Sequence, residues 1–151
     1  MTSPVPAGPS AARPLAAIEQ AWQDHFAPWV HATGLRLESA DERSVTLRLP
    51  LDASLARAGG MVCGQALMAA ADTAMALALV NHFGGFQPCT TVHLSTTFLK
   101  PLAAQDGLVT ATVLRAGRSL AFGEIDIRGA HDGASVARST TTYALLARPA
   151  G

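Results

Sequence analysis

An α+β fold, with a curved antiparallel β-sheet wrapped around one central apolar α-helix, is the class this sequence predicts. Three observations lead to it. The stretch Ala66–Val80 is rich in alanine, leucine and methionine, which favour helix, and its apolar residues run round every face. Four long segments rich in β-branched residues follow it, and a short alternating hairpin precedes it. A helix with no polar face needs cover on all sides, and strands joined by tight turns are the material the chain offers for that cover.

In order along the chain, Leu15, Ile18, Trp22, Phe26 and Trp29 recur every three or four residues, the period of an amphipathic helix from Pro14 to about His31, with Pro28 bending or ending it. Leu35 and Leu37, the polar turn Asp41–Ser44, and then Val45, Leu47 and Leu49 in alternation predict a hairpin buried on one face and stopped by Pro50. A glycine-bearing loop around Gly59 and Gly60 opens the central helix. Beyond it, Thr90–Leu99, Gly107–Arg115, Ser119–Arg128 and Ala134–Leu146 predict antiparallel strands, bounded by Pro101, Gly117 and the turn His131-Asp132-Gly133.

The chain has 151 residues, enough for one domain with a real core, which we place at 14–148 after a disordered Pro/Ala/Ser-rich tail over 1–13. Eleven basic and eleven acidic residues cancel, which removes the charge footprint of a nucleic-acid or anionic-membrane binder. The opening residues lack the charged and apolar regions of a secretory signal, and Ala66–Val80 is too short to span a bilayer. A cytoplasmic protein with Cys63 and Cys89 as free thiols is therefore expected. The five histidines show no metal-ligand spacing and no nucleotide-binding glycine loop occurs, so neither a metal nor a cofactor is expected.

Asp72 interrupts the apolar helix. Burying an unpaired carboxylate costs several kcal/mol or more, so it must be hydrogen-bonded or paired for structural reasons, or be kept for catalysis.

The segment Gly60-Met61-Val62-Cys63-Gly64-Gln65, with Asp72-Thr73-Ala74, resembles the motif of the phenylacetate-pathway (PaaI-like) branch of the hotdog-fold thioesterases, in the 4-hydroxybenzoyl-CoA thioesterase superfamily. In that family a His-Gly-Gly turn opens the central helix and an acidic residue follows nine positions after the histidine; here Cys63 holds the histidine position and Asp72 the acidic one. Thr91-Val92-His93-Leu94, Phe98-Leu99-Lys100-Pro101 and Arg115-Ala116-Gly117-Arg118-Ser119-Leu120-Ala121-Phe122 resemble the later strand signatures, so the likeness runs over about residues 34 to 146.

The resemblance implies a hotdog fold and hydrolysis of acyl-CoA thioesters, with coenzyme A entering as part of the substrate. Asp72 then acts as general base or nucleophile, backbone amides at Gly64 and Gln65 polarise the thioester carbonyl, and Thr91 helps place the water. Arg57, Lys100, Arg115, Arg118 and Arg138 are candidate phosphate partners, and Cys63 lies at the substrate-binding turn. The sequence departs from the family at Arg57, where an asparagine is frequent, at Cys63 and at Gln65. Cys63 raises a rival thiol nucleophile, for which His82 or His93 would have to lie within reach. A non-catalytic acyl-CoA or lipid-binding hotdog domain and an acyl-thioester hydratase or dehydratase share the fold and stay open at this point.

Helix geometry adds an expectation about assembly. Gly64 and Asp72 are eight residues apart, roughly 12 Å along one helix axis, whereas reacting groups must lie within about 3.5 Å. One carbonyl therefore needs Asp72 from a second chain, and a two-fold homodimer, alone or as a dimer of dimers, is expected.

Overall fold

The computed structural model describes residues 15–147. The expected tail over 1–13, Pro14 at the expected start of the first helix, and Arg148 at the expected end of the domain lie outside the described residues.

The opening amphipathic segment forms α1, Leu15–His25, which buries Ile18, Ala21 and Trp22. Pro28 then occupies the first turn of a separate four-residue helix, α2, Pro28–His31, where its missing N–H costs nothing. That break corrects one expectation: Trp29 does not continue the apolar face of α1 but is 64% exposed. The hairpin follows as β1, Arg36–Ala40, and β2, Ser44–Leu49, with Val45, Leu47 and Leu49 buried in strict alternation.

The central helix, α3, spans Gly64–Phe83 and ends at Gly84, whose left-handed backbone (φ 75°) returns its N–H to the Val80 carbonyl. At 20 residues it is longer than the apolar stretch Ala66–Val80 and would suffice by length and composition to cross a membrane, yet 67% of its most apolar window is buried inside the domain. It is the core helix. β3, Cys89–Phe98, β4, Gly107–Ala116, β5, Leu120–Gly129, and β6, Ser135–Leu145, complete the chain.

All six strands form one antiparallel sheet in the order β1-β2-β4-β5-β6-β3. One inner rung runs Val45, Ala111, Ile125 and Ser139, and the next runs Leu47, Val109, Ile127 and Ala137. Seven of these eight are the small or β-branched and aliphatic residues that pack against α3, and all eight are buried. A sheet of this width twists and curls, so it wraps the helix. This is the hotdog arrangement.

Two features of the sheet position the site. β3 is a ten-residue edge strand, and its outer edge pairs with nothing among the described residues. Bulges interrupt β3 between Thr91 and His93 and β4 between Val113 and Arg115. A bulge re-aims the side chains on either side of it. Thr91 pairs with buried Tyr143 on the inner face, whereas His93 pairs with Thr142, which alternates with Tyr143 and belongs to the outer face.

Candidate active site

Asp72 lies near the middle of α3, on the one stripe of the helix that the sheet leaves partly open. Between Gln65 and Ala76 the positions that are not fully buried are Gln65, Met68, Ala69, Asp72 and Ala76, which recur at helical spacing. This corrects the expectation of burial on all sides. The sheet ends at the edge strand β3, and Asp72 in this stripe faces that edge through Thr91.

Around the carboxylate, Thr91 Oγ1 donates a hydrogen bond to Asp72 Oδ1 at 2.9 Å. The Tyr143 hydroxyl lies against the same Oδ1 and shares its one proton between it and the Asp72 main-chain carbonyl, 2.9 Å away. Oδ2 accepts no hydrogen bond, and no salt bridge reaches Asp72 among the described residues. The carboxylate is thus held by neutral donors on one oxygen, with the other left open. Burial pushes the Tyr143 phenol well above the usual tyrosine range, and the adjacent Asp72 carboxylate pushes it further, so at neutral pH it is a protonated donor. Burial and the same carboxylate raise Cys89, which keeps that neighbour a thiol.

Tyr143 is absent from the residues singled out by the sequence. The signal was there: it is the single tyrosine of the chain, in a strand whose alternate residues are buried, and a buried phenol has to find a partner for its O–H. Which partner depends on strand order, and no local pattern states that order.

The residues expected to polarise the carbonyl lie at the N-terminus of α3. Cys63 is the N-cap, with extended backbone (φ −71°, ψ 152°) and no side-chain cap bond, so the first-turn amides point out of the helix end without a capping side chain. The Phe98 ring lies over Gly64: a Cβ there would come within 3.3 Å of it, tighter than ordinary contact. Arg57, Met61, Gly64, Leu67, Phe98 and Lys100 line a cleft of about 320 Å³ at this end. Its floor is apolar, and it carries two cations. Arg57 rests on the Met61 sulfur at 3.6 Å, and Lys100 stands 3.7 Å from Asp132.

The structure therefore brings Arg57, Cys63, Gly64, Gln65 and Lys100 to one end of α3, and Asp72 with Thr91 to its middle. The remaining cations lie elsewhere. Arg115 pairs in register with exposed Phe122 on the outer face of β4 and β5, and Arg118 is in the turn between those strands. Arg138 lines a larger polar groove on the outer face, 3.7 Å from Asp126. The thiol alternative loses its base within one chain: His82 sits nineteen positions after Cys63, roughly 28 Å along the helix, and His93 belongs to the outer face.

Residues 59–135 match the family model described as the thioesterase superfamily, and the chain belongs to that superfamily. A curated relative from Thermoplasma acidophilum, provisionally named an esterase, is 26% identical over 84 residues, 56% of this chain and 63% of its own. The aligned part thus spans under two thirds of that relative's length. Among solved structures, a protein from Silicibacter sp. TM1040, provisionally named a thioesterase, superposes with a TM-score of 0.82 at 26% identity over 93% of this chain and 96% of its own. The PaaI protein of the E. coli phenylacetic acid degradation operon superposes with a TM-score of 0.77 at 19% identity over 88% and 93%, a likeness of fold.

Proposed function

We propose that this protein hydrolyses acyl-CoA thioesters to the free acid and coenzyme A in the cytoplasm. It does so as a two-fold homodimer in which each site joins the α3 N-terminus of one chain to Asp72 of the other. The observation that carries this reading is the Asp72 carboxylate, with one oxygen held by Thr91 and Tyr143 and the other open, on the accessible stripe of the core helix.

The chemistry follows from the parts. The thioester carbonyl lies at the first turn of α3, where the Gly64 and Gln65 amides and the positive end of the helix dipole meet the oxyanion as it forms. Asp72 either draws a proton from a water that adds to the carbonyl carbon or adds itself to give an anhydride that water then opens. Collapse of the adduct breaks the C–S bond, and the thiolate leaves and takes up a proton.

Support for the dimer comes from the edge strand. A ten-residue strand exposing Val92, Phe98 and Leu99 beside it is an association hazard unless another strand covers it. Antiparallel pairing of two β3 strands about their centres sets the Thr91 end of one beside the Phe98 end of the other. That brings the carboxylate of one chain toward the amide cleft of its partner.

Steady-state hydrolysis of a panel of aromatic, branched and medium-chain acyl-CoAs, read by release of free thiol, is expected to give turnover with at least one of them. Tight binding across the panel without thiol release would instead make the protein an acyl-CoA binder. The cleft cations allow a second check. Arg57→Ala/Lys100→Ala is expected to raise KM for an acyl-CoA about tenfold, and to raise it much less for a truncated thioester without the nucleotide. Equal increases for both substrates would remove Arg57 and Lys100 from phosphate recognition.

A further inference from the structure

We propose that Tyr143 is the positioning residue of this site: together with Thr91 it clamps Oδ1 of Asp72 so that Oδ2 alone is presented to the reacting atoms. This rests on the reading of Asp72 as the hydrolytic carboxylate and goes beyond it, because it assigns different tasks to the two oxygens.

A free aspartate side chain rotates about its last bond and exchanges its oxygens. Two donors on one oxygen prevent that. Thr91 and Tyr143 both meet Oδ1, one from β3 and one from β6, and they are partners in the same rung of the sheet. The Tyr143 hydroxyl also reaches the Asp72 main-chain carbonyl, so the clamp ties the side chain to the helix that carries it.

The two donors are not equivalent. Thr91 is exposed on the edge strand, beside the bulge, while Tyr143 is 3% exposed on a strand bonded on both sides, to β5 and to β3. Rotamers locked by packing hold a site's geometry better than exposed ones. Burial also keeps the phenol protonated at neutral pH, so the donor is present there. A group that aims a catalytic carboxylate without touching substrate affects the chemical step and leaves substrate binding alone.

The test uses the full chain. Tyr143→Phe is expected to lower kcat about tenfold with KM unchanged within about twofold, and to add no further loss when combined with Asp72→Asn. Since Tyr143 is the single tyrosine, replacing tyrosine globally with 3-fluorotyrosine places one fluorine probe at this position. Its NMR resonance is expected to move on Asp72→Asn in the folded protein, and this readout needs neither activity nor a stable phenylalanine variant. Wild-type kcat in folded Tyr143→Phe, losses that multiply with Asp72→Asn, or a fluorine resonance indifferent to Asp72→Asn would each overturn the proposal. Full activity of Asp72→Asn itself would overturn the reading of the carboxylate, and the clamp with it.

Discussion

Asp72→Asn is expected to lower turnover by about a hundredfold or more while leaving the protein folded. Asparagine keeps the shape of aspartate and one carbonyl oxygen, which takes the Oδ1 position and still accepts from Thr91 and Tyr143, now as a weaker, uncharged acceptor. The open Oδ2 becomes an NH₂ group that donates and neither accepts a proton nor adds to a carbonyl. The substitution thus removes the reacting oxygen and spares the held one, so folding and substrate binding should survive while chemistry does not. Turnover within a few-fold of wild type, on protein whose thermal transition is unchanged, would exclude Asp72 as base or nucleophile.

Complementation between two crippled chains is expected to restore roughly a quarter of wild-type activity under the proposed arrangement, in which each site draws on both members of a two-fold dimer. One parent is Asp72→Asn. The other is Gly64→Pro, chosen because Gly64 is the first residue of α3, a position where proline fits, and because the extended backbone of Cys63 suits a residue preceding proline. Proline there deletes one amide of the oxyanion-binding turn and presses on the Phe98 ring that lies over Gly64. In a heterodimer one site then collects both lesions and the other has neither. Random pairing makes about half the dimers mixed, and half the sites in those are intact, hence the quarter. Heterodimers isolated by a tag on one parent that stay as inactive as the parents would end the shared-site model.

Much of the fold was legible because it depends on local periodicity. The all-round apolar character of Ala66–Val80 marks the core helix, the alternation of Val45, Leu47 and Leu49 states which face of the hairpin is buried, and Gly117 and His131–Gly133 mark where strands turn, which together leave little choice of architecture. The misreading of Trp29 has a local cause: its spacing fits the helical period, but the chain turns at Pro28, and spacing carries no record of a change in direction. Within the site, Asp72 could be found from its own neighbourhood, since an acidic residue in an apolar helix is an energetic anomaly at any resolution of argument.

What the sequence determined by itself is therefore the set of elements, the helix that forms the core and the position of its one carboxylate. The tertiary structure decided what surrounds that carboxylate. Tyr143 and Asp72 are 71 positions apart and meet because β6 lies between β5 and β3, an order chosen by the curl of the whole sheet over α3. The sheet ends at β3, the stripe from Gln65 to Ala76 stays partly open, and a bulge turns Thr91 toward Asp72 and His93 away. Hydrophobic periodicity is a property of consecutive residues, whereas strand order, sheet closure and bulge placement minimise the free energy of all the contacts at once, so only the assembled fold could say which donors reach the carboxylate and which of its oxygens stays free.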